Sequence, residues 1–179
     1  MTPFLSENPN EKGMIHDRKA QSIVWGFLCM LIFIAVAAGL VDIYRLYAAR
    51  NWAYTVAQEA AMTGVSKGRD WSSVTDGGGI RLDSVAAKNE AQNLVMAEMA
   101  TRRISGYVMD VRVLPDSFGG AIAAYPPRPV RLGSGMGNWS SDEPAVGVYL
   151  EVPVQWVLLD ILNTQVKTVR VFAAAGVAQ

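Results

Sequence analysis

The 22 residues Ala20–Val41, AQSIVWGFLCMLIFIAVAAGLV, carry no charge, and this run constrains the chain more than any other feature. A helix needs about 20 apolar residues to cross the hydrocarbon layer of a bilayer. Buried helices of soluble proteins seldom exceed about 10–14 apolar residues and usually keep a polar stripe, so the run predicts a single transmembrane helix. A cleaved secretory signal competes with this reading, because Lys12, Arg18 and Lys19 precede the run and Ala35-Val36-Ala37 offers small residues. The run outlasts the usual apolar region of about 7–15 residues, and helix-compatible sequence continues past it. An uncleaved signal anchor is the expectation. Cys29 lies mid-run behind Leu28, where lipoprotein signals carry a small residue, so it reads as a small apolar side chain.

The flanks hold Lys12, Arg18 and Lys19 on one side and Arg45 and Arg50 with Asp42 on the other, a weak positive-inside bias. Topology argues more strongly: residues 1–19 form a cytoplasmic tail and the large C-terminal part follows the anchor across. Tyr44, Tyr47, Trp52 and Tyr54 would then lie toward the outer interface and Trp25 near the inner one. With 51% hydrophobic and 18% charged residues, the chain is not composed like a disordered protein. Its 16 basic residues balance 16 acidic ones, which leaves no electrostatic footprint for nucleic acid. One Cys supports neither an internal disulfide nor a thiolate metal cluster.

No helix breaker separates the span from VDIYRLYAARNWAYTVAQEAAMTG, so one helix is expected from about Arg18 to Thr63, with residues 20–41 in the membrane and 42–64 outside. On the outer half Ile43, Leu46, Tyr47, Tyr54, Ala57 and Ala61 follow helical spacing, while Ala53, Ala57, Ala60, Ala61 and Gly64 make a small-residue face. Residues 65–179 form the rest: a loop over Trp71–Gly79, a second helix from Ser84 to Ile104 capped by Asp83 or Ser84 and ended by Gly106, and a strand over Tyr107–Val113. Residues 115–144, dense in Pro, Gly and Ser, read as a long flexible or functional loop. Strands follow over Val146–Trp156 and Gln165–Val177, joined by a short turn or helix at Leu158–Asn163. Pro153 suggests an edge strand or a bulge. The whole is an α+β fold: a transmembrane helix continuing into a long amphipathic helix, packed on a small antiparallel-sheet head with a second helix.

Catalytic constellations do not emerge. His16 stands far in sequence from the carboxylates of the head, so no His-based triad or His-rich metal site is available. Gly77-Gly78-Gly79 lacks the Lys-Ser/Thr ending of a phosphate loop. Asp70 and Asp76 lack calcium-loop spacing. Asn138-Trp139-Ser140 is a sequon with meaning only in a glycosylating host. Asp42, at the membrane edge, is a costly carboxylate to bury and is expected to pair with Arg45 or a partner chain.

The order of basic tail, apolar span, Asp42, Arg45 and then Ala49-Arg50-Asn51 with Ala57, Glu59, Ala60 and Ala61 resembles the TadE-type pseudopilins of tight-adherence (Flp) pilus systems. The two late strands are also similar to that family's C-terminal part. The resemblance implies a structural protein of pilus assembly in the cell envelope, without enzymatic activity or cofactor. It also places the family's processing site, a Gly before the cut and a Glu five residues after it, on Ala20, Gln21 and Trp25. The departures at Ala20 and Trp25 imply an uncut chain.

The expected protein is therefore single-pass in the cytoplasmic membrane, with its N-terminus inside and its head outside. It would engage membrane lipid and other membrane or envelope proteins in homo- or hetero-oligomers, with no nucleic acid, no metal and no catalytic residues. Gly26, Gly39, Ala53, Ala57, Ala60 and Ala61 are the candidate helix-packing positions. The alternative is an accessory single-span subunit of a larger, energy-transducing membrane complex built on a pseudopilin-like body.

Overall fold

The computed structural model describes residues 9–75, 79–130, 137–154 and 167–177, giving the backbone alone for residues 9–20, 74 and 167. The protein is α+β, with a long apolar N-terminal helix and small antiparallel sheets. Helix α1 (Pro9–Lys67) is 59 residues long, and a proline at the first helical position suits its start. The helix runs through Gly64, where the sequence suggests a break, and ends where the Gly68 N–H bonds the Gly64 carbonyl at 2.9 Å. Gly64 continues the helix because its missing side chain makes room. A Cβ there would lie 2.8 Å from the Ala87 carbonyl oxygen and 3.2 Å from the Ala91 Cβ.

A two-residue strand β1 (Arg69–Asp70) and a one-turn helix α2 (Trp71–Thr75) follow, in place of the loop expected from residue 71. The Asp70 carboxylate starts that turn by accepting from the Ser72 N–H at 3.0 Å and the Ser72 hydroxyl at 2.6 Å. Residues 76–78 lie outside the described set. Strand β2 (Arg81–Leu82) pairs antiparallel with β1. Helix α3 (Ser84–Thr101) begins at Asp83, whose carboxylate accepts from the Val85 and Ala86 N–H groups at 2.8 and 3.1 Å. It stops three residues short of the expected Ile104, because Arg103 takes a positive φ of 55° and turns the chain before Gly106 is reached. Ala87 lies against Gly64 and Gly68 while Arg102 stacks over Trp52, so α3 runs antiparallel to α1.

The main sheet has the order β3-β6-β7, all antiparallel, formed by β3 (Val108–Leu114), β6 (Ala145–Val154) and β7 (Lys167–Gly176). Pro153 therefore stands in the central strand rather than at an edge. It is tolerated because β3 stops pairing at Val108 opposite Glu151, leaving Pro153 with a partner only in β7, at Thr168. The connection 115–144 contains strands β4 (Gly120–Ile122) and β5 (Trp139–Ser141), paired antiparallel. The expected strand residues Gln155, Trp156, Gln165 and Val166 and the turn Leu158–Asn163 fall outside the described residues.

Period-two alternation divides the main sheet. Val111, Val146, Val148, Leu150, Val152, Val154, Val169, Val171 and Ala173 join one core with Ala53, Val56, Ala57, Ala60, Ala61 and Val65 of α1 and Ala87, Ala91, Val95 and Met99 of α3. The other face is covered too. Leu114, Ala145 and Tyr149 are buried with Tyr125 and Trp139, contributed by the 115–144 segment.

Candidate functional site

The functional feature is α1 itself, which has a bare half and a buried half. From Gln21 onward it is the one described helix long and apolar enough to cross a membrane, and the apolar window is wholly unburied. Ile23, Trp25, Phe27, Leu31, Phe33 and Val36 are all exposed. Each such side chain left in water forfeits about 1.5–3 kcal/mol of burial, and among the described residues nothing covers this half. Ala20 and Gln21 stand one turn before Trp25; Ala20 is helical, with its side chain outside the described set, and Gln21 is exposed.

Ala53, Ala57, Ala60 and Ala61 are fully buried, and their size lets the backbones of α1 and α3 approach at Gly64 and Gly68. These alanines are spent within the chain. Ile43, Tyr47 and Tyr54, which share their helical spacing in the sequence, face out instead, because the buried stripe runs through Ala53, Val56, Ala60 and Gly64. Gly26 and Gly39 have no atom within 4 Å of where a Cβ would stand. Open space at these two positions suits a neighbouring helix.

The expected Asp42–Arg45 ion pair does not form. Asp42 is 1% exposed and has a polar contact of its own, whereas Arg45, 60° further round the helix, remains on the surface.

A polar cluster on the covered face of the sheet was not legible from the sequence. Glu151, 5% exposed, accepts from the Thr168 hydroxyl at 2.8 Å, the Tyr149 hydroxyl at 3.1 Å and Arg128 Nη1 at 3.0 Å, with Arg170 at 3.5 Å. Burial works to raise the Glu151 pKa. The hydrogen bonds from Thr168 and Tyr149 and the two guanidinium charges outweigh it, so the carboxyl sits below its ordinary value. Desolvation first, and the Glu151 charge next, push the Tyr149 phenol up to about 12. The Tyr149 phenol is thus held protonated against an ionised Glu151, which describes a fastening rather than an acid or base poised near neutrality. Arg128 ties the 115–130 segment to the sheet through it. A second fastening is Tyr125, whose hydroxyl donates to the carbonyls of Asp110 at 2.8 Å and Gly147 at 3.0 Å. Its ring packs with Phe172 and Trp139 at 5.4 and 5.8 Å between centroids. The one sequence signal was the shared register of Glu151 with Arg170 in the last two strands; what covers them came from a stretch read as loop.

Among the described residues no group of three His, Cys, Asp or Glu side chains could hold a metal ion. Asp110 is paired with Arg112 at 3.1 Å, and Asp76 is not among the described residues. The shallow depression lined by Ser117, Phe118, Ser141, Asp142 and Glu143 is open to solvent and gathers no base or nucleophile pair. Comparison with known protein families, with curated proteins and with solved structures gives no match.

Proposed function

We propose that the protein is a non-enzymatic, membrane-anchored structural component of the cell envelope, resembling a TadE-type pseudopilin. In this reading residues 20–41 cross the cytoplasmic membrane once with the N-terminus inside, and the α+β part stands outside and engages other membrane or envelope proteins. The observation that carries it is the division of α1: an unbroken helix whose first half is apolar and bare and whose second half is built into the core of the sheet. The run Asp42, Arg45, Ala49, Arg50, Asn51, Ala57, Glu59, Ala60 and Ala61 supports the family assignment by resemblance.

Two measurements test the reading. Mild-detergent purification of the full chain should recover secretion or pilus-assembly proteins. Recovery of redox or pigment proteins instead would favour an accessory subunit of an energy-transducing complex, a reading for which the open surfaces at Gly26 and Gly39 speak. Mass spectrometry should find the chain uncut at Ala20. A mature chain beginning at Gln21 would replace the retained anchor with a processed pilin.

A further inference from the structure

We propose that the end of α3 rests on the membrane: Arg45, Arg102 and Arg103 form a cationic foot that binds anionic lipid headgroups on the side of α1 where α3 descends. The proposal builds on the reading that Ala20–Val41 spans the bilayer, and it adds which lipid the head meets and in which direction the anchor leans.

The antiparallel course of α3 carries its C-terminal end back toward the apolar half of α1. Arg102 is held there by the Trp52 ring, with its guanidinium carbon 4.4 Å from the ring centroid. Arg103 turns the chain at φ 55° immediately after it. Both are exposed, as is Arg45. Seven residues separate Arg45 from Trp52, two helical turns less about 20°, so Arg45 lies on the same face of α1, below the stacked Arg102.

At 1.5 Å per residue Arg45 stands about 6 Å beyond Val41, and Trp52 about 16 Å beyond it. The polar layer on each side of the hydrocarbon is about 5–8 Å deep. Arg45 thus sits within it, whereas Arg102 and Arg103, level with Trp52, stand above it; a tilt of about 20°, ordinary for a single span, lowers the α3 side by a few ångströms and brings the two within about one Debye length, roughly 8–10 Å, of the headgroup charges.

Several cations of the protein are taken up by carboxylates. Lys67, Arg112, Arg128 and Arg170 each pair with a carboxylate. Arg45, Arg102 and Arg103 make no ion pair among the described residues, and neither do Arg50, Arg69, Arg81 and Lys88; what sets the three apart is their place together on the α3 side near the apolar half of α1. Of the nearby acids, Asp42 is buried with a polar contact of its own, Glu98 is half-buried one turn before Arg102, and Glu59 lies two turns above Trp52, farther from the apolar half. Guanidinium groups match phosphate oxygens in geometry as well as charge.

The test uses the full chain with Cys29→Ser and Ser105→Cys, labelled at 105 beside the foot. It is reconstituted in phosphatidylcholine vesicles and in vesicles rich in phosphatidylglycerol. Energy transfer from the label to headgroup-labelled lipid should be greater in the anionic vesicles and should fall in high salt. Arg45→Gln with Arg103→Gln should cut the membrane-apposed population at least about tenfold, each lost charge counting for about fivefold. Arg102→Lys, which keeps the charge, should retain most of the effect. Equal transfer in the two lipids, or no response to the paired substitution, overturns the proposal. Flotation after an alkaline wash is read on the same samples. A chain that floats from both vesicles but shows no charge-dependent energy transfer refutes the foot alone, whereas one that fails to float removes the anchor reading and the foot with it.

Discussion

At the scale of single residues, Glu151 shows what a lowered carboxyl pKa does to a fold. Because its folded value lies below the ordinary 4.5, the ionised form adds stability that is complete above about that pH and disappears as pH falls through the folded value. Glu151→Gln should therefore lower stability by about 1–3 kcal/mol at neutral pH. The difference from the parent should shrink on acidification below about pH 4, as measured by urea unfolding of the detergent-solubilised chain across pH. Gly68 gives a prediction of opposite character, since nothing is removed. A Cβ at Gly68 would collide with Ala87, and neither helix backbone can yield cheaply. Gly68→Ala should cost about 1–3 kcal/mol of overpacking, while Gly26→Ala, which meets nothing within 4 Å, should leave the melting of the head unchanged.

Among elements, α3 depends on its start. Asp83 satisfies two N–H groups of the first turn, so Asp83→Ala should cost about 0.5–2 kcal/mol, and Asp83→Ser should recover most of it; a thermal melt followed by circular dichroism reads both. The sequence carried α1, α3 and the three main strands because each rests on a local period: an uninterrupted apolar run, an Ala87-Ala91-Val95 stripe, and strict alternation in β6. It missed elements whose cause is not local. Gly64 stays helical because Ala87 of another helix fills the space beside it. Arg103, not Gly106, ends α3. Pro153 sits in a central strand because β3 is too short to reach it. The face of the sheet bearing Tyr149 and Glu151 alternates like a solvated one, and its cover comes from residues 115–130 and 137–144, whose Pro and Gly content conceals β4, β5 and the Tyr125–Trp139–Phe172 cluster. For the candidate site, the apolar run and the small residues of α1 were legible, whereas the burial of Asp42 away from Arg45 was not, since three residues along a helix is a necessary spacing for a pair and not a sufficient one.

For the whole molecule, Cys29 separates the environments open to α1. Its side chain is exposed on the helix surface, so in detergent-denatured protein it should react readily with a membrane-impermeant maleimide. In intact membranes, about nine residues into the apolar run, it should stay unmodified if hydrocarbon surrounds it; rapid labelling there would place this half of α1 in water or in a wet cavity. The unbroken course of α1 has a mechanical corollary as well. Fifty-nine residues in one helix make a rod about 88 Å long, with its distal turns clamped in the core of the sheet. Such a rod works as a lever: a swing of about 10° of the lower end about the middle of the helix displaces the upper end by several ångströms, and a rotation about its axis turns the sheet by the same angle. A neighbour that grips only the bare apolar end could thereby reorient everything the upper end presents, with no hinge to absorb the movement.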